Sequence, residues 1–479
     1  MPARELAHAF KWSLASEVAA KAIQPIVFII LARLLTPADF GIMSAALMVI
    51  GFSQIVWEAG MGKALIQRQS DTDDAANVAF WINIGLAGVV ASALFVAAGP
   101  VAQSIFHDLR VIPVLQFMTI HVVLGALSSV HTALLQKEMR FRQLFWVRFA
   151  TVSLPGLAAI PLAWDGMGYW ALVAGSLLGQ TAQVIMLWRT SRWRPSMTFR
   201  VDVAAEMSRF GAWVGATGLL AWFYVWADAL VVGMYLGSHD LGLYQTGNQF
   251  ASLVFTLVFG PVVPVLYTHL SRLHLDKLAL RRVAESVIKI VTLIAIPIAL
   301  ILFSMAEQLS GALFGHRWQG IHVVIGVMAL THGFAWVVGL NGELYRAMGR
   351  PSCETIVMAL CMPAYAAAYL FSIGYGLEAF LWTRFGLALG GVLLHLVVIR
   401  LILGMPVRPV VAYLFAIVLI SAVPVIIVRR FLIEAMAGGL WSVLLGGAVN
   451  LALAVTILYI LERRGVVKHL KSMIVRGKT

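Results

Sequence analysis

The sequence predicts an all-α integral membrane protein with about 14 transmembrane helices, arranged as two pseudo-symmetric six-helix lobes around a central cavity plus two C-terminal helices. Three observations predict this fold. The 479 residues are 61% hydrophobic with a mean hydropathy of +0.89, whereas soluble domains are ~45–50% apolar. Basic residues collect in every second gap between apolar runs. Loop sequences near the start of the chain return about 200 residues later.

Fourteen apolar runs are long enough to cross the bilayer, since about 20 helical residues span the ~30 Å hydrocarbon core. No gap between them is long enough to hold a soluble domain. We interpret the first run as a retained helix rather than a secretory signal, because Glu17 and Lys21 interrupt it and no clear cleavage site follows. The predicted spans are 13–33, 40–60, 77–99, 111–134, 146–163, 167–187, 210–231, 244–267, 288–306, 321–342, 355–373, 377–400, 410–428 and 440–461.

The distribution of lysine and arginine orients the chain. With the N-terminus in the cytoplasm, 28 basic residues fall on the inner side and six on the outer side, while Lys21 lies within a helix. This positive-inside bias predicts cytoplasmic N- and C-termini and an even number of spans. It also accounts for the net charge of +13, so we expect no nucleic-acid partner.

The stretch LARLLTPADFGIMSAA at 31–46 predicts a sharp turn between the first two helices at the outer surface. Thr36 can cap the second helix, Pro37 suits its first position, and Asp39 completes a capping-box-like start. Arg33 stands at the end of the first helix, from which its side chain can reach the interface.

The same region predicts an internal duplication. Residues 35–42 (LTPADFGI) align with 236–243 (LGSHDLGL) at an offset of 201, and two weaker matches follow in the same order at offsets of 209 and 208. The offset covers six helices, so both copies enter the membrane the same way round, as in transporters whose two bundles rock about a central site. We therefore expect an N-lobe over residues 1–205 with helices 1–6 and a C-lobe over residues 206–405 with helices 7–12. Residues 406–479 are expected to form helices 13 and 14 and a basic cytoplasmic tail.

Four motifs resemble those of a known family: LARLLTPADFG at 31–41, GMGKALIQRQSDTDDAANVAFWIN at 60–83, SRLHLDKLALRR at 271–282 and ALFGHRW at 312–318. They resemble the polysaccharide transporter family of lipid-linked oligosaccharide flippases, close to its colanic-acid-exporter-like branch. That family belongs to the superfamily that includes lipid II flippases and multidrug antiporters. The resemblance implies two six-helix lobes around a central cavity, with two extra C-terminal helices, in the bacterial cytoplasmic (inner) membrane.

The resemblance also implies a function. Members of the family export undecaprenyl-diphosphate-linked sugar repeat units to the periplasmic face, for exopolysaccharide or O-antigen. The implied partners are polyprenyl-diphosphate-linked oligosaccharide and membrane lipids, with a polysaccharide polymerase and export machinery as further candidates.

Ionisable residues inside spans are the first candidates for function, because each costs about 2.5–3.5 kcal/mol at a helix centre and rarely faces lipid. Glu17 and Lys21 are four residues apart on helix 1. They form a self-compensating pair near the inner interface, or Lys21 contacts the diphosphate and Glu17 is a proton site. Asp228 in helix 7 has no basic residue within a turn. We expect it to pair across the lobes with Lys21 or to carry a coupling ion. Arg384 in helix 12 is a second candidate for contacting the diphosphate.

The remaining candidates each have a structural explanation beside the functional one. Glu343 and Arg346 near the inner end of helix 10 form an interfacial pair, or they couple an ion and bind substrate, respectively. Arg33 anchors a helix end or contacts the substrate. Trp222 packs between helices or stacks on a sugar ring. Glu58, at the inner end of helix 2, fits an interfacial position.

Uncharged polar residues in the spans leave two interpretations open. Four amides could hydrogen-bond sugar hydroxyls or could join neighbouring helices: Gln180, Gln183, Asn248 and Gln249. Three histidines in the spans fit residues that are hydrogen-bonded between helices: His121, His131 and His332. Cys353 and Cys361 show neither a disulfide framework nor metal-ligand spacing. We expect no metal and no cofactor, with H⁺ or Na⁺ as the coupling ion.

Four other functions are alternatives to that of a lipid-linked oligosaccharide flippase. A lipid II flippase or a multidrug antiporter would use the same fold, although basic residues near the cavity favour an anionic cargo. A membrane polysaccharide polymerase or glycosyltransferase would carry its catalytic groups on a sizeable external loop or soluble domain, and the gaps here are short. A structural scaffold would not explain buried charge. The sequence therefore predicts a transporter and not an enzyme.

Overall fold

The computed structural model describes residues 24–273, 276–350 and 352–428, together with six isolated positions beyond 428. The described chain is helical, with loops and short turns between the helices. The helices are α1 Gln24–Leu34, α2 Pro37–Glu58, α3 Met61–Gln67, α4 Thr72–Val101, α5 Val111–Lys137, α6 Phe141–Trp164, α7 Tyr169–Thr190, α8 Val201–Phe259, α9 Val262–Arg272, α10 Lys277–Ser304, α11 Ala306–Leu313, α12 Ile321–Gly339, α13 Asn341–Ala347, α14 Ser352–Ser372, α15 Leu377–Leu403 and α16 Val407–Val428.

Within the described residues, eleven helical stretches are long and apolar enough to cross a membrane, which confirms a multi-pass, all-helical membrane protein. One of them, α8, is bent and contains span 210–231 and most of span 244–267. Span 13–33 is described only from Gln24 onward, and span 440–461 lies mostly outside the described residues. The count of fourteen spans therefore stays a prediction. The short helices α3, α9 and α13 follow long helices directly and were not predicted as separate elements.

The bend in α8 occurs at Gly237, whose backbone dihedrals are φ 81° and ψ −176°. Glycine adopts this region readily because it has no Cβ. The bend brings the two arms of α8, 201–236 and 238–259, side by side near their junction. The Tyr244 hydroxyl donates to Asp228 Oδ2 at 2.7 Å, whereas in a straight helix 16 residues would separate them by about 24 Å.

The predicted capping box at the start of α2 is confirmed. Thr36 Oγ1 accepts from the Asp39 backbone N–H at 3.3 Å, and Asp39 Oδ2 accepts from the Thr36 backbone N–H at 2.8 Å. Pro37 occupies the first turn. The other carboxylate oxygen, Asp39 Oδ1, accepts from the backbone N–H of Tyr169 at 3.0 Å. The cap therefore also ties the start of α2 to the start of α7.

The order of the helices repeats along the chain. Six helices in the first half of the chain have a counterpart in the second half. The first six begin at residues 37, 61, 72, 111, 141 and 169, and their counterparts begin at 238, 262, 277, 321, 352 and 377. The starts recur after 201 to 211 residues, in agreement with the offsets of the sequence echo. This repeat supports the predicted duplication, while the arrangement of two lobes around a central cavity stays a prediction.

The two copies of the echoed loop contact each other reciprocally. A Cβ on Gly41 would lie 1.7 Å from the Ser238 carbonyl oxygen, and a Cβ on Gly242 would lie 1.8 Å from the Pro37 carbonyl oxygen. At the offset of 201, Gly41 is equivalent to Gly242 and Pro37 to Ser238. A twofold relation produces such paired contacts. The start of α2 and the start of the 238–259 arm thus touch backbone to backbone, where no side chain fits.

The chain divides into two compact units, Met1–Gln245 and Thr246–Thr479. In the first unit, α4 packs along α5 and α6 packs along α7. Phe80 of α4 lies in the apolar core between α4 and α5. In the second, α10 packs on α12 and α16, with Ile296 in its core. The predicted lobe boundaries after residues 205 and 405 stay predictions.

Candidate functional site: a polar cavity among transmembrane helices

The first unit contains a cavity of about 410 Å³ between α2, α3, α5 and α7. Sites for small ligands commonly enclose about 300–1,000 Å³. Packed transmembrane helices usually meet through apolar and small residues, but most of the residues that line this cavity are polar. These polar residues are Gln54, Glu58, Lys63, His121, Ser128, Ser129, Thr132, Gln136, Gln180 and Gln183.

The cavity extends a long way along α5. His121 and Gln136 both line it, and the 15 residues between them correspond to about 22 Å of helix. The hydrocarbon core is about 30 Å thick. Gln136 is the second-last residue of α5, at the end that the sequence predicts to be cytoplasmic. The cavity therefore runs from this end of the helices into the middle of the span.

A tight turn between α2 and α3 shapes one end of the cavity. Helix α2 ends at Glu58, and Ala59 (φ 42°) and Gly60 (φ 68°) redirect the chain before α3 begins. Glycine is required at position 60 because φ is positive and a Cβ would lie 2.8 Å from the Gly211 carbonyl oxygen. The turn places Glu58 and Lys63 on the same cavity.

The two charged residues of the cavity have few partners. Glu58 Oε2 accepts from Gln54 Nε2 at 3.2 Å. Lys63 is exposed and makes no hydrogen bond or ion pair with the residues that the structure describes. With one carboxylate and one ammonium group, the lining is formally neutral when His121 is neutral.

Trp57 forms one wall of the cavity and is only 3% exposed. A Cβ on Gly125 would lie 2.9 Å from Trp57 Cζ2 and 3.9 Å from Gln180 Nε2, so the ring packs on this glycine beside the carboxamide. The Ser128 hydroxyl donates to the Gly125 carbonyl oxygen at 2.9 Å. The indole Nε1–H of Trp57 has no acceptor among the described residues. A buried donor without an acceptor costs about 1–3 kcal/mol. The Trp57 N–H is therefore a hydrogen-bond donor that the described fold does not use.

Among the candidates from the sequence, this cavity is lined by Glu58, His121, Gln180 and Gln183. The described candidates for diphosphate, sugar-stacking and ion-coupling roles do not line it: Arg33, Trp222, Asp228, Glu343, Arg346 and Arg384. Asp228 is 6% exposed and joins the two arms of α8. Its Oδ2 accepts from the Tyr244 hydroxyl at 2.7 Å, and its Oδ1 accepts from the Ala229 N–H at 2.6 Å. A role in ion coupling stays a prediction. Its suggested partner Lys21 lies outside the described residues, as does Glu17.

In the second unit, Arg346 bridges two acidic residues. Its Nη1 lies 2.6 Å from Glu343 Oε1 and its Nη2 lies 2.9 Å from Glu354 Oε2. The geometry matches the interfacial-pair explanation and adds Glu354, at the start of α14, as a member that the sequence analysis missed. Arg384 is half-buried on α15. The substrate and ion roles of these residues stay predictions.

Arg33 and Trp222 lie where their structural explanations place them. Arg33 is exposed at the end of α1. The Trp222 ring packs edge-on against Phe52 of α2 with centroids 5.1 Å apart, and its Nε1 is 3.6 Å from the position of a Cβ on Gly51. Trp222 thus joins the first arm of α8 to α2, and its stacking on a sugar stays a prediction.

A charged pair lies in the short segment between α4 and α5, outside the spans. Arg110 Nη2 donates to Asp108 Oδ2 at 2.8 Å, and Arg110 Nε donates to Oδ1 at 3.0 Å. Burial raises the pKa of Asp108, but its hydrogen bonds with Arg110 and the guanidinium charge outweigh burial and lower that pKa below its ordinary value. The same hydrogen bonds raise the pKa of Arg110. The pair therefore stays charged at neutral pH.

Many long apolar helices around a polar cavity define a class, the multi-pass membrane proteins with an internal polar site. A family model described as "Polysaccharide biosynthesis protein" matches residues 30–323, so the chain belongs to the polysaccharide biosynthesis protein family. It is 27% identical over 322 residues to the succinoglycan biosynthesis transport protein ExoT of Rhizobium meliloti (strain 1021), a match that covers 67% of this chain and 65% of that protein. It is 22% identical over 347 residues to the lipopolysaccharide biosynthesis protein WzxC of Escherichia coli (strain K12), covering 71% and 69%.

The fold is similar to that of a solved structure, the lipid II flippase MurJ in an inward closed conformation. The TM-score is 0.76 at 12% identity, and the match covers 95% of this chain and 99% of that chain. At this identity the likeness concerns the fold alone. The family places the chain in polysaccharide biosynthesis, and the homologue ExoT is named as a transport protein and not as an enzyme.

Proposed function

We propose that the protein flips undecaprenyl-diphosphate-linked oligosaccharide repeat units from the cytoplasmic to the periplasmic leaflet of a bacterial inner membrane. The product serves export of exopolysaccharide or O-antigen. Both chain termini are in the cytoplasm, and two six-helix lobes alternate in giving the substrate access to either side. The family match and the named relatives support the cargo class, and the repeated order of helices supports the two-lobe mechanism.

The polar cavity is the observation that carries this proposal. A glycan and a diphosphate cannot cross hydrocarbon unaided, because each polar group that loses water without a new partner costs several kcal/mol. A cavity with ten polar lining residues inside apolar helices offers such partners to the glycan. Its polar residues are spread along about 22 Å of α5. They begin at the Gln136 end, where a substrate assembled in the cytoplasm would enter.

Charged residues elsewhere supply the remaining parts of the proposal. Lys21 and Arg384 bind the diphosphate, with Arg33 and Arg346 as secondary contacts. Asp228 or Glu17 couples transport to a gradient of H⁺ or Na⁺. The burial of Asp228 and its hydroxyl partner Tyr244 support this role, because a buried carboxylate changes its hydrogen bonds when it gains or loses a cation.

The alternative is a lipid II flippase or multidrug antiporter of the same superfamily. The fold likeness to a lipid II flippase keeps the first of these open. The family description and the relatives named for polysaccharide pathways favour the repeat-unit cargo.

A translocation assay in proteoliposomes tests the proposal. Lipid-linked repeat units from the source strain are reconstituted with the full chain, and an external glycosidase reports how much substrate changes leaflet. We expect wild-type protein to move the substrate and the triple charge reversal at Lys21, Arg384 and Asp228 to abolish movement while the protein still inserts. Lys277→Glu, an exposed charge at the first residue of α10, is the matched control and should remain active. No movement by wild-type protein contradicts the function; full activity of the triple variant contradicts the residue roles.

A further inference from the structure

We infer that the cavity of the first unit is the subsite for the sugar part of the cargo, and that the diphosphate and the coupling ion bind elsewhere. The inference rests on the proposed function, since it names which portion of a lipid-linked oligosaccharide this site takes. It stands on the composition of the lining, on hydrogen-bonding capacity that the described protein leaves unused, and on the wall formed by Trp57.

The lining matches sugar hydroxyls in chemical type. Gln54, Gln136, Gln180 and Gln183 line the cavity, and each carboxamide offers two N–H donors and an acceptor oxygen. A sugar hydroxyl both donates and accepts, so it can pair with either end of a carboxamide. The hydroxyls of Ser128 and Thr132 donate to backbone oxygens of α5 at 2.9 Å and 3.0 Å. Ser128 Oγ also accepts from Gln180 Nε2 at 3.5 Å, whereas the lone pairs of the Thr132 hydroxyl are left to accept from a ligand.

The same lining suits a diphosphate poorly. A diphosphate only accepts hydrogen bonds and carries concentrated negative charge, which proteins meet with clustered arginine or lysine. Among the described residues that line the cavity, Lys63 is the single strong cation, and Glu58 shares the cavity with it. The carboxamide oxygens would also face the phosphate oxygens. A formally neutral lining rich in carboxamides therefore favours an uncharged polyhydroxylated group.

Several residues that line the cavity have hydrogen-bonding groups that the described protein does not use. Within the described chain, Gln136 and Gln183 make no side-chain hydrogen bond and Lys63 has no partner. Trp57, which is 3% exposed, has an indole N–H without an acceptor. Because its ring is almost fully covered, Trp57 gives the cavity a fixed wall and not an open face for stacking. Gly125 holds this ring in place, since a Cβ there would lie 2.9 Å from it.

Binding measurements on the purified full chain test the inference. The two probes are the repeat-unit oligosaccharide, released from its lipid in the source strain by mild acid, and farnesyl diphosphate, which carries no sugar. Isothermal titration calorimetry gives a Kd for each. Losing one hydrogen bond should weaken oligosaccharide binding about 3- to 10-fold in Gln180→Leu and in Gln183→Leu, and about 10- to 100-fold in the double variant. Binding of farnesyl diphosphate should stay within about twofold of wild type.

Two further variants serve as a matched control and as a more conservative substitution. Gln116→Leu is the matched control, because Gln116 lies on α5 but does not line the cavity; it should bind both probes as wild type does. Gln183→Met keeps nearly the same unbranched side-chain length, adds no charge and removes the two N–H donors and the acceptor oxygen, so it should weaken oligosaccharide binding even where a leucine variant fails to fold.

The outcomes separate this inference from the proposed function. Oligosaccharide binding that is unchanged in Gln180→Leu, Gln183→Leu and Gln183→Met overturns the sugar subsite. So does a loss of farnesyl diphosphate binding in Lys63→Ala, because the cavity would then hold the diphosphate. In either case, continued translocation by wild-type protein leaves the flippase function intact. If wild-type protein binds the oligosaccharide through these glutamines but translocates no lipid-linked substrate, the subsite stands and the proposed function fails.

Discussion

The reciprocal contact between Gly41 and Gly242 makes a quantitative prediction for Gly242→Ala. The added Cβ would lie 1.8 Å from the Pro37 carbonyl oxygen, and real Cβ contacts essentially never fall under 3.0 Å, so the two backbones must part by about 1.2 Å. Overpacking of this kind costs about 1–3 kcal/mol. Because the clash is with backbone, no flexible side chain can relieve it.

Thermal unfolding in detergent measures this cost. For a unit of about this size each kcal/mol lowers Tm by about 2–4 °C. Gly215→Ala is the matched control, since Gly215 lies on the same helix with nothing within 4 Å of an added Cβ. Alanine in a helix interior is favoured over glycine by about 1 kcal/mol, so the control should be neutral or more stable.

The double variant Gly41→Ala, Gly242→Ala tests the reciprocity itself. Once one methyl group has parted the backbones, the second finds part of its room already made. We expect the double variant to lose less stability than the two single variants together, by about 0.5–3 kcal/mol, as for residues in contact. A Gly242→Ala protein as stable as wild type would refute the close contact. Strict additivity would refute the idea that both glycines serve one contact.

Three further predictions concern other contacts. Tyr244→Phe leaves the buried Asp228 without its hydroxyl donor and should destabilise the chain by about 1.5–3 kcal/mol, measured as a lower Tm; an unchanged Tm would show that this bond does not hold the arms of α8. Because the pKa of Asp108 is lowered in the folded state, the pair with Arg110 stabilises the chain above pH 3.8, and this contribution is lost as pH falls from 3.8 through the folded pKa. The Tm of Arg110→Gln should therefore lie below that of wild type at pH 6, and the difference should shrink as pH falls below 3.8. A difference that stays constant over this range would contradict the linkage. Gly125→Ala places a methyl group 2.9 Å from the ring of Trp57 and should shift that ring and weaken oligosaccharide binding about 3- to 10-fold, as measured by calorimetry; wild-type affinity would show that the ring position is immaterial.

Local signals allowed much of the fold to be predicted. Apolar length located the spans that the structure describes, and Thr36, Pro37 and Asp39 defined the start of α2 by side-chain chemistry that acts within one turn. The echo at an offset of 201 was short, yet it identified Gly41 and Gly242 as equivalent, and these two residues meet. The start of α2 could be predicted from the sequence because its capping residues are close to one another in the chain.

The candidate site was harder to predict because its residues come from four helices. The sequence analysis favoured charge inside spans, which led to Asp228 and Arg346, and both are engaged with neighbouring side chains. The cavity is instead lined mainly by uncharged residues. One signal was available: Ser128, Thr132 and Gln136 recur every four residues on α5, which gives this helix a polar stripe in an otherwise apolar span. The sequence could not reveal that α7 presents Gln180 and Gln183 to that stripe, since this depends on tertiary packing.

Site-directed photocrosslinking tests the central claim most directly. A photoreactive amino acid is placed at Gln183, which lines the cavity, or at Gln116, which does not, and intact membranes that synthesise lipid-linked repeat units are irradiated. The account predicts an adduct at position 183 whose mass includes both the sugars and the lipid carrier, with no such adduct at position 116. Equal labelling at both positions, or no sugar-bearing adduct at position 183, would contradict it.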